Sequence, residues 1–222
     1  LTPEYKQSQD GHNIPIITHY FDKYGNNVKE IYHDKDGKLY CDSKEGVAGF
    51  TMTYDEKGNP TEQTCLGLDQ KPTYHKYGIV SVKYKYDENG FMVERNFYDI
   101  DGHSTCLVDE DQESASREVY VLNEKGQHVE TLLYDEHGQP MPSISGAFAS
   151  KCEYDESGNQ TLCSYYDENN NPVRYNGFYT EQRAEYYNFD RVVSISYYDN
   201  GKPTKMRMGY QCTEQSIIWQ VI

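Results

Sequence analysis

Apolar and polar positions alternate along this chain around one recurring phrase, an aromatic residue followed by Asp-x-x-Gly. It reads Tyr54-Asp55-Glu56-Lys57-Gly58, Tyr86-Asp87-Glu88-Asn89-Gly90, Tyr134-Asp135-Glu136-His137-Gly138 and Tyr154-Asp155-Glu156-Ser157-Gly158. Variants start at Phe21, His33, Tyr98 and Leu122. An Asp at the first turn position accepts hydrogen bonds from backbone groups two residues on. The Gly three residues later takes the left-handed conformation. Together they make a three-residue hairpin loop, so each phrase between Tyr-rich runs predicts a β-hairpin.

The phrases fall into two interlocked series. Asp22, Asp55, Asp87, Asn123, Asp155 and Asn188 open a first turn, stepping by 33, 32, 36, 32 and 33 residues. Asp34, Asp69, Asp99, Asp135, Asp167 and Asp199 open a second, and the gap within a unit is 12, 14, 12, 12, 12 and 11. A third marker, Gly46, Gly78 and Gly146, lies eight residues before the Tyr of the next first turn, with Ser114 and Gly177 as counterparts. Self-similarity at such a period is the signature of a repeat architecture. The expected fold is all-β: an elongated antiparallel repeat sheet or solenoid of about six two-turn units of ~32 residues, each contacting mainly its neighbours. Residues 18–205 hold the repeats, 1–17 a half unit or cap, and 206–222 a capping strand or truncated unit. Short helices are expected at Asp109–Glu118 and Thr180–Tyr186.

Each unit predicts a strand of about eight residues between its turns. Position three (Val28, Val93, Val129, Thr161, Val193) and position seven (Tyr32, Phe97, Leu133, Tyr165, Tyr197) should share the core face, because side chains alternate with period two. Position eight (Tyr98, Tyr134, Tyr166, Tyr198) should point the other way. A regular hairpin register puts Tyr54, Tyr86 and Tyr154 on that same second face. The seven tyrosines then form two rows roughly 20 Å apart. They are the candidate contact residues, since exposed Tyr suits sugar rings, peptides and partner proteins. Equally, the rings can pack on neighbouring hairpins.

Composition narrows the function classes. The 222 residues include 23 Tyr but one Trp and seven Phe, which favours a thin structure packed through rings over a deep aliphatic core. A net charge of −15, from 21 Lys and Arg against 36 Asp and Glu, argues against nucleic acid and anionic membrane surfaces. It suits a sheet whose edges must not pair with one another. No apolar run reaches the length of a membrane-spanning helix, so membrane insertion is not expected. No phosphate loop, nucleophile elbow or metal-ligand motif occurs, so a non-catalytic protein without cofactor or metal is expected. Asp34/Asp36 and Asp99/Asp101 lack the longer loop and distal Glu of a calcium site and read as turn residues.

The six cysteines include no CxxC. Cys41 and Cys106 share one unit position, and Cys65 and Cys163 are read as sharing another, so free thiols are expected. The regular register sets Cys152 opposite Leu162, which disfavours a Cys152–Cys163 bridge.

Tyr-Asp-Glu-x-Gly-Asn and Tyr197-Tyr198-Asp199-Asn200-Gly201-Lys202 resemble bacterial tandem repeats of the YD type, as in Rhs-like proteins, and the bacterial variant of MORN repeats. The resemblance covers roughly residues 18–205. It implies an extracellular or cell-surface bacterial protein that recognises a protein or glycan. Two other readings stand beside it: a structural spacer or scaffold segment of a larger repeat protein, and an intracellular antitoxin-like binding protein.

Overall fold

The computed structural model describes residues 16–42, 45–108, 115–143, 145–187 and 191–205. The expectations for 1–15 and 206–222, for Asn188 and for Ser114 lie outside the described residues. The chain forms two compact units, Leu1–Asp111 and Gln112–Ile222.

The first unit contains six strands: β1 (Ile16–Phe21), β2 (Asn27–His33), β3 (Gly49–Tyr54), β4 (Pro60–Leu66), β5 (Ser81–Tyr86) and β6 (Met92–Tyr98). Within it, strands consecutive in sequence pair antiparallel. The second unit contains β7 (Arg117–Leu122), β8 (His128–Tyr134), β9 (Ala149–Tyr154), β10 (Gln160–Tyr166), β11 (Glu181–Tyr187), β12 (Arg191–Asp199) and β13 (Lys202–Thr204), paired in the same way. The protein is all-β, and no helix occurs among the described residues.

The helix expected at Thr180–Tyr186 is instead strand β11. Its alternating burial and its pairing with both β10 and β12 override local propensity. The strand expected after the second turn shrinks to one bridge in the first five repeats, such as His33↔Leu39, Tyr98↔Ser104 and Tyr166↔Pro172, and is the three-residue β13 in the last. Pro supplies no N–H to extend such a ladder, and it occupies this place in three hairpins.

The Asp-x-x-Gly phrases are hairpin bends. At Asp87 the backbone N–H donates to Phe91 O at 2.9 Å and Gly90 N–H donates back to Asp87 O at 3.1 Å. The Asp87 Oδ1 accepts from Asn89 and Phe91 N–H at 2.9 and 2.8 Å. Gly90 has φ +86°, which a Cβ would strain. The irregular gap of 14 resolves as a different turn. In the second repeat the bend starts at Gly67, not Asp69: Gln70 N–H returns to Gly67 O, and Gln70 itself takes φ +59°. That restores the 12-residue gap. The last second turn is a two-residue loop, Asn200-Gly201, with both residues at positive φ between the paired Asp199 and Lys202.

Turn carboxylates couple the fold to pH. The side-chain amides of Asn59, Asn159 and Asn171 donate to Asp55, Asp155 and Asp167 and hold their carboxyls below the usual 3.8, with backbone N–H groups adding to the effect. A lowered folded-state pKa gives stability that is complete above the unfolded value and is lost as pH falls through the folded one. Thermal stability is therefore expected to fall below about pH 4. The triple variant Asp55→Asn, Asp155→Asn, Asp167→Asn should lose part of that acid sensitivity. Asn123 already makes the same turn, accepting from Lys125 and Gln127 N–H at 3.0 and 3.1 Å. Melting curves across the acid range check this; an unchanged acid limb in the variant would refute it.

One feature recurs in every first hairpin and inverts the expected faces. A β-bulge sits at position three: the register skips Val28, Thr61, Val93, Val129, Thr161 and Val193. All six are β-branched, and none is buried. Position three is thus a bulge residue and not the core position expected. Position seven is core: Tyr32, Cys65, Phe97, Leu133 and Tyr165 are all buried. Cys65 occupies this position, because its carbonyl accepts from Thr73 N–H as Tyr32 O accepts from Tyr40. Cys163 occupies position five, so the two cysteines do not share a place.

The rest of the core lies in the loops. The residues after the third-marker glycines, Val47, Ile79, Ala147 and, one further on, Tyr179, are buried, as is Ala115. The next residue in each case ties two hairpins together. Ala48 O accepts from Tyr32 N–H at 2.8 Å while Ala48 N–H donates to Leu66 O at 2.7 Å. Val80, Phe148 and Thr180 bridge in the same way. Loop also bonds to loop: Lys76 N–H donates to Glu45 O, Val108 to Tyr77 O and Asn176 to Ser145 O.

Candidate functional site

The bulge separates the two tyrosine rows. Tyr86 still pairs with Met92, but the next pairs are Lys85↔Glu94, Val82↔Phe97 and Ser81↔Tyr98. Residues 82, 84 and 86 therefore share the face of Phe97, and 81, 83 and 85 that of Tyr98. Tyr54, Tyr86 and Tyr154 lie on the core face, opposite to the one expected from a regular register. One skipped residue reverses side-chain parity along the remainder of the strand.

The core-face tyrosines join repeats. The Tyr54 hydroxyl donates to Asn27 O at 2.8 Å, Tyr154 to His128 O at 2.9 Å and Tyr186 to Gln160 O at 3.0 Å. In each case the acceptor is position two of the preceding hairpin. Burial, then the Glu30 carboxylate, raises the Tyr54 pKa, and burial raises that of Tyr86 and Tyr154.

The second face carries Tyr98 in the first unit and Tyr134, Tyr166 and Tyr198 in succession in the second. All four are half-buried, and each ring has a cation over it. Lys83 Nζ is 4.6 Å from the Tyr98 centroid, Arg117 5.0 Å from Tyr134, Lys151 4.8 Å from Tyr166 and Arg183 4.2 Å from Tyr198. Arg117 is directly opposite Tyr134. The other three cations lie two residues along from the partner of their tyrosine, on the same face. In the second unit successive tyrosines are two strands apart, roughly 10 Å.

Acids stand beside two of these cations. Lys151 lies 3.5 Å from Glu130 and donates to Asn170 Oδ1 at 2.6 Å, and Arg183 pairs with Glu181. On the same face Lys85 pairs with Glu94 at 2.6 Å. Alternate residues Lys83, Lys85, Arg183 and Glu185 are exposed, so this face meets solvent along those strands. Next to Tyr166 the surface sinks into a cavity of about 300 Å³, lined also by Pro172, Thr180, Glu181 and Asn200. In each unit the arrangement sets aromatic rings under cations, which presents stacking surface and hydrogen-bonding groups.

The cations are the residues that sequence reasoning missed. Their signal was present: Lys83, Lys151 and Arg183 stand at one repeat position. It went unread because the regular register put them opposite the wrong residues.

Among the described residues, one group of potential metal ligands converges: Asp99, Asp101 and His103 bring ligand atoms within 4.8 Å of one another. The Asp99 Oδ1 already accepts from Asp101 and His103 N–H at 3.0 and 2.8 Å, as Asp87 Oδ1 does at its own turn. No helix among the described residues is long and apolar enough to cross a membrane.

No family model and no curated protein matches this chain. Solved structures do. It is similar to the crystal structure of TcdB2-TccC3-TEV over 89% of its length, at 11% identity and a TM-score of 0.40. It is similar to TcdB2-TccC3 over 87%, at 12% identity and 0.27, and to TcdB2-TccC3 without its hypervariable C-terminal region over 90%, at 12% and 0.30. The chain spans 10%, 12% and 10% of those chains. The repeated antiparallel hairpins are consistent with the YD-type resemblance.

Proposed function

We propose that this chain is a non-catalytic repeat module of a bacterial surface or secreted protein, and that it recognises a protein or glycan partner through the faces that bear Tyr98 in the first unit and Tyr134, Tyr166 and Tyr198 in the second. The observation that supports this reading is the division of labour between the tyrosine rows. Tyr54, Tyr154 and Tyr186 are committed to hydrogen bonds between repeats. The position-eight tyrosines are steadied by cations instead, on a face whose alternate side chains reach solvent. Held rings lose little freedom when a partner stacks on them, which is how aromatic residues contribute to binding.

A second reading, a structural spacer without a ligand, is favoured by the same core-face hydroxyl bonds, because they tie successive repeats. One experiment separates the two. Glycan and peptide arrays are probed with the parent chain and with Tyr166→Ala/Tyr198→Ala. The binding reading expects at least one ligand whose signal drops about tenfold in the variant, with an unchanged circular dichroism spectrum. Absence of any array ligand for the parent, or loss of the fold in the variant, supports the spacer.

A further inference from the structure

The bulge at Thr161 does more than move tyrosines. It brings Cys152 directly opposite Cys163, where a regular register would have set Leu162. Both side chains lie on the core face with Tyr165, and their sulfurs are 2.6 Å apart. The pair is also of the closer kind. Tyr165 N–H donates to Thr180 O, and Tyr165 O accepts from Val173 N–H, so the Tyr165 backbone points away from β9. Cys163, two residues away, points its backbone the same way. Cys152 and Cys163 therefore form a non-hydrogen-bonded pair, in which the Cα atoms approach to about 4.5 Å. That lies at the short end of the Cα separations that disulfides span. Cys41, Cys65 and Cys106 have no such counterpart among the register pairs of the described strands. The structure carries Cys152 and Cys163 as thiols.

We propose that Cys152 and Cys163 form a cross-strand disulfide that staples hairpin β9–β10 when the protein meets a disulfide oxidant. The half-buried Cys152, as thiolate, attacks the S–S bond of a small-molecule disulfide and expels one thiolate. The Cys163 thiolate then attacks the Cys152 sulfur of the mixed disulfide and expels the second. Two cysteine protons are released, two electrons pass to the oxidant, and the oxidant leaves as two thiols. The hydrogen bond that the Cys152 thiol donates to Cys163, together with burial, holds it well above its usual range, so the reaction is slow in the folded chain and faster during folding.

The test is oxidation by oxidised glutathione, applied to the folded chain and during refolding from urea in a glutathione redox mixture. Remaining thiols are then capped with iodoacetamide. Cleavage before Asp155 separates the two cysteines onto different peptides. The expected product is those peptides joined and lighter by two hydrogens than their sum, with the thermal midpoint raised by roughly 5–10 °C. The Cys152→Val/Cys163→Val variant should show neither product nor shift. Recovery of both cysteines capped in both samples, or of either bound to glutathione or to another cysteine, overturns the proposal.

Discussion

Gly49→Ala is expected to destabilise the first unit by about 3 kcal/mol, at the upper end of what overpacking costs. Gly49 pairs with Ile31 on one side and Leu66 on the other, so two strands crowd its backbone at once. A Cβ built there would lie 2.1 Å from Glu30 O and 3.1 Å from Ile31 Cα. Both are backbone atoms, so no rotamer relieves the clash, and β2 must move away from β3. Such a movement stretches the Tyr32–Ala48 bond beside it and opens the cluster of Tyr32, Val47 and Cys65. The corresponding positions in later repeats, Ser81, Arg117, Ala149 and Glu181, carry side chains, so the tight approach is particular to this crossing. Urea unfolding followed by circular dichroism measures the loss. A change under about 1 kcal/mol would mean that the two strands lie further apart than this structure places them.

Phe97→Ala should cost about 3 kcal/mol, and Phe97→Leu about 1 kcal/mol. Phe97 is the largest of the most fully buried side chains, 2% exposed, at position seven of its hairpin. Removing the ring takes away its transfer energy and leaves space that backbone held by the Thr105–Phe97 and Val80–Tyr98 bonds cannot close. Leu133 fills the same position in the second unit, which is why the leucine variant should be mild. Urea midpoints of the two variants give the ranking. Equal losses would show that the position does not discriminate by volume and that the core there is loosely packed.

How far the fold was legible depends on the range of the interaction. The hairpin bends were readable because Asp, x, x and Gly contain their own reason. The carboxylate at Asp87 reaches N–H groups two and four residues on, and Gly90 alone needs the left-handed backbone. Where the phrase was imperfect, reading by motif went astray. Asp69 drew attention although the bend starts at Gly67, because Gln70 can adopt positive φ in place of Gly. The loop core was half legible. Gly46, Gly78 and Gly146 marked the place, but nothing local showed that Val47, Ile79 and Ala147 beyond them would be buried. Their burial comes from the strand and loop that close over them.

The candidate site turned on one residue per hairpin. Val28, Thr61, Val93, Val129, Thr161 and Val193 were visible as a β-branched column, and a column of that kind reads as core. In the folded chain they are bulges, and everything beyond them toward the middle of the sheet is displaced by one. The seven candidate tyrosines are therefore not one surface. Tyr54, Tyr86 and Tyr154 belong to the core face, and Tyr98, Tyr134, Tyr166 and Tyr198 lie under cations on the other.

Sequence alone was enough to determine that this protein is all-β, that it repeats, and where it bends, because each of those properties is set within five consecutive residues. Tertiary structure decided which face each tyrosine joins, which cation covers it, and that Cys152 meets Cys163. Those outcomes depend on strand register, and register is a parity: a single unpaired residue reverses it for the whole strand while leaving the pattern of residue types unchanged.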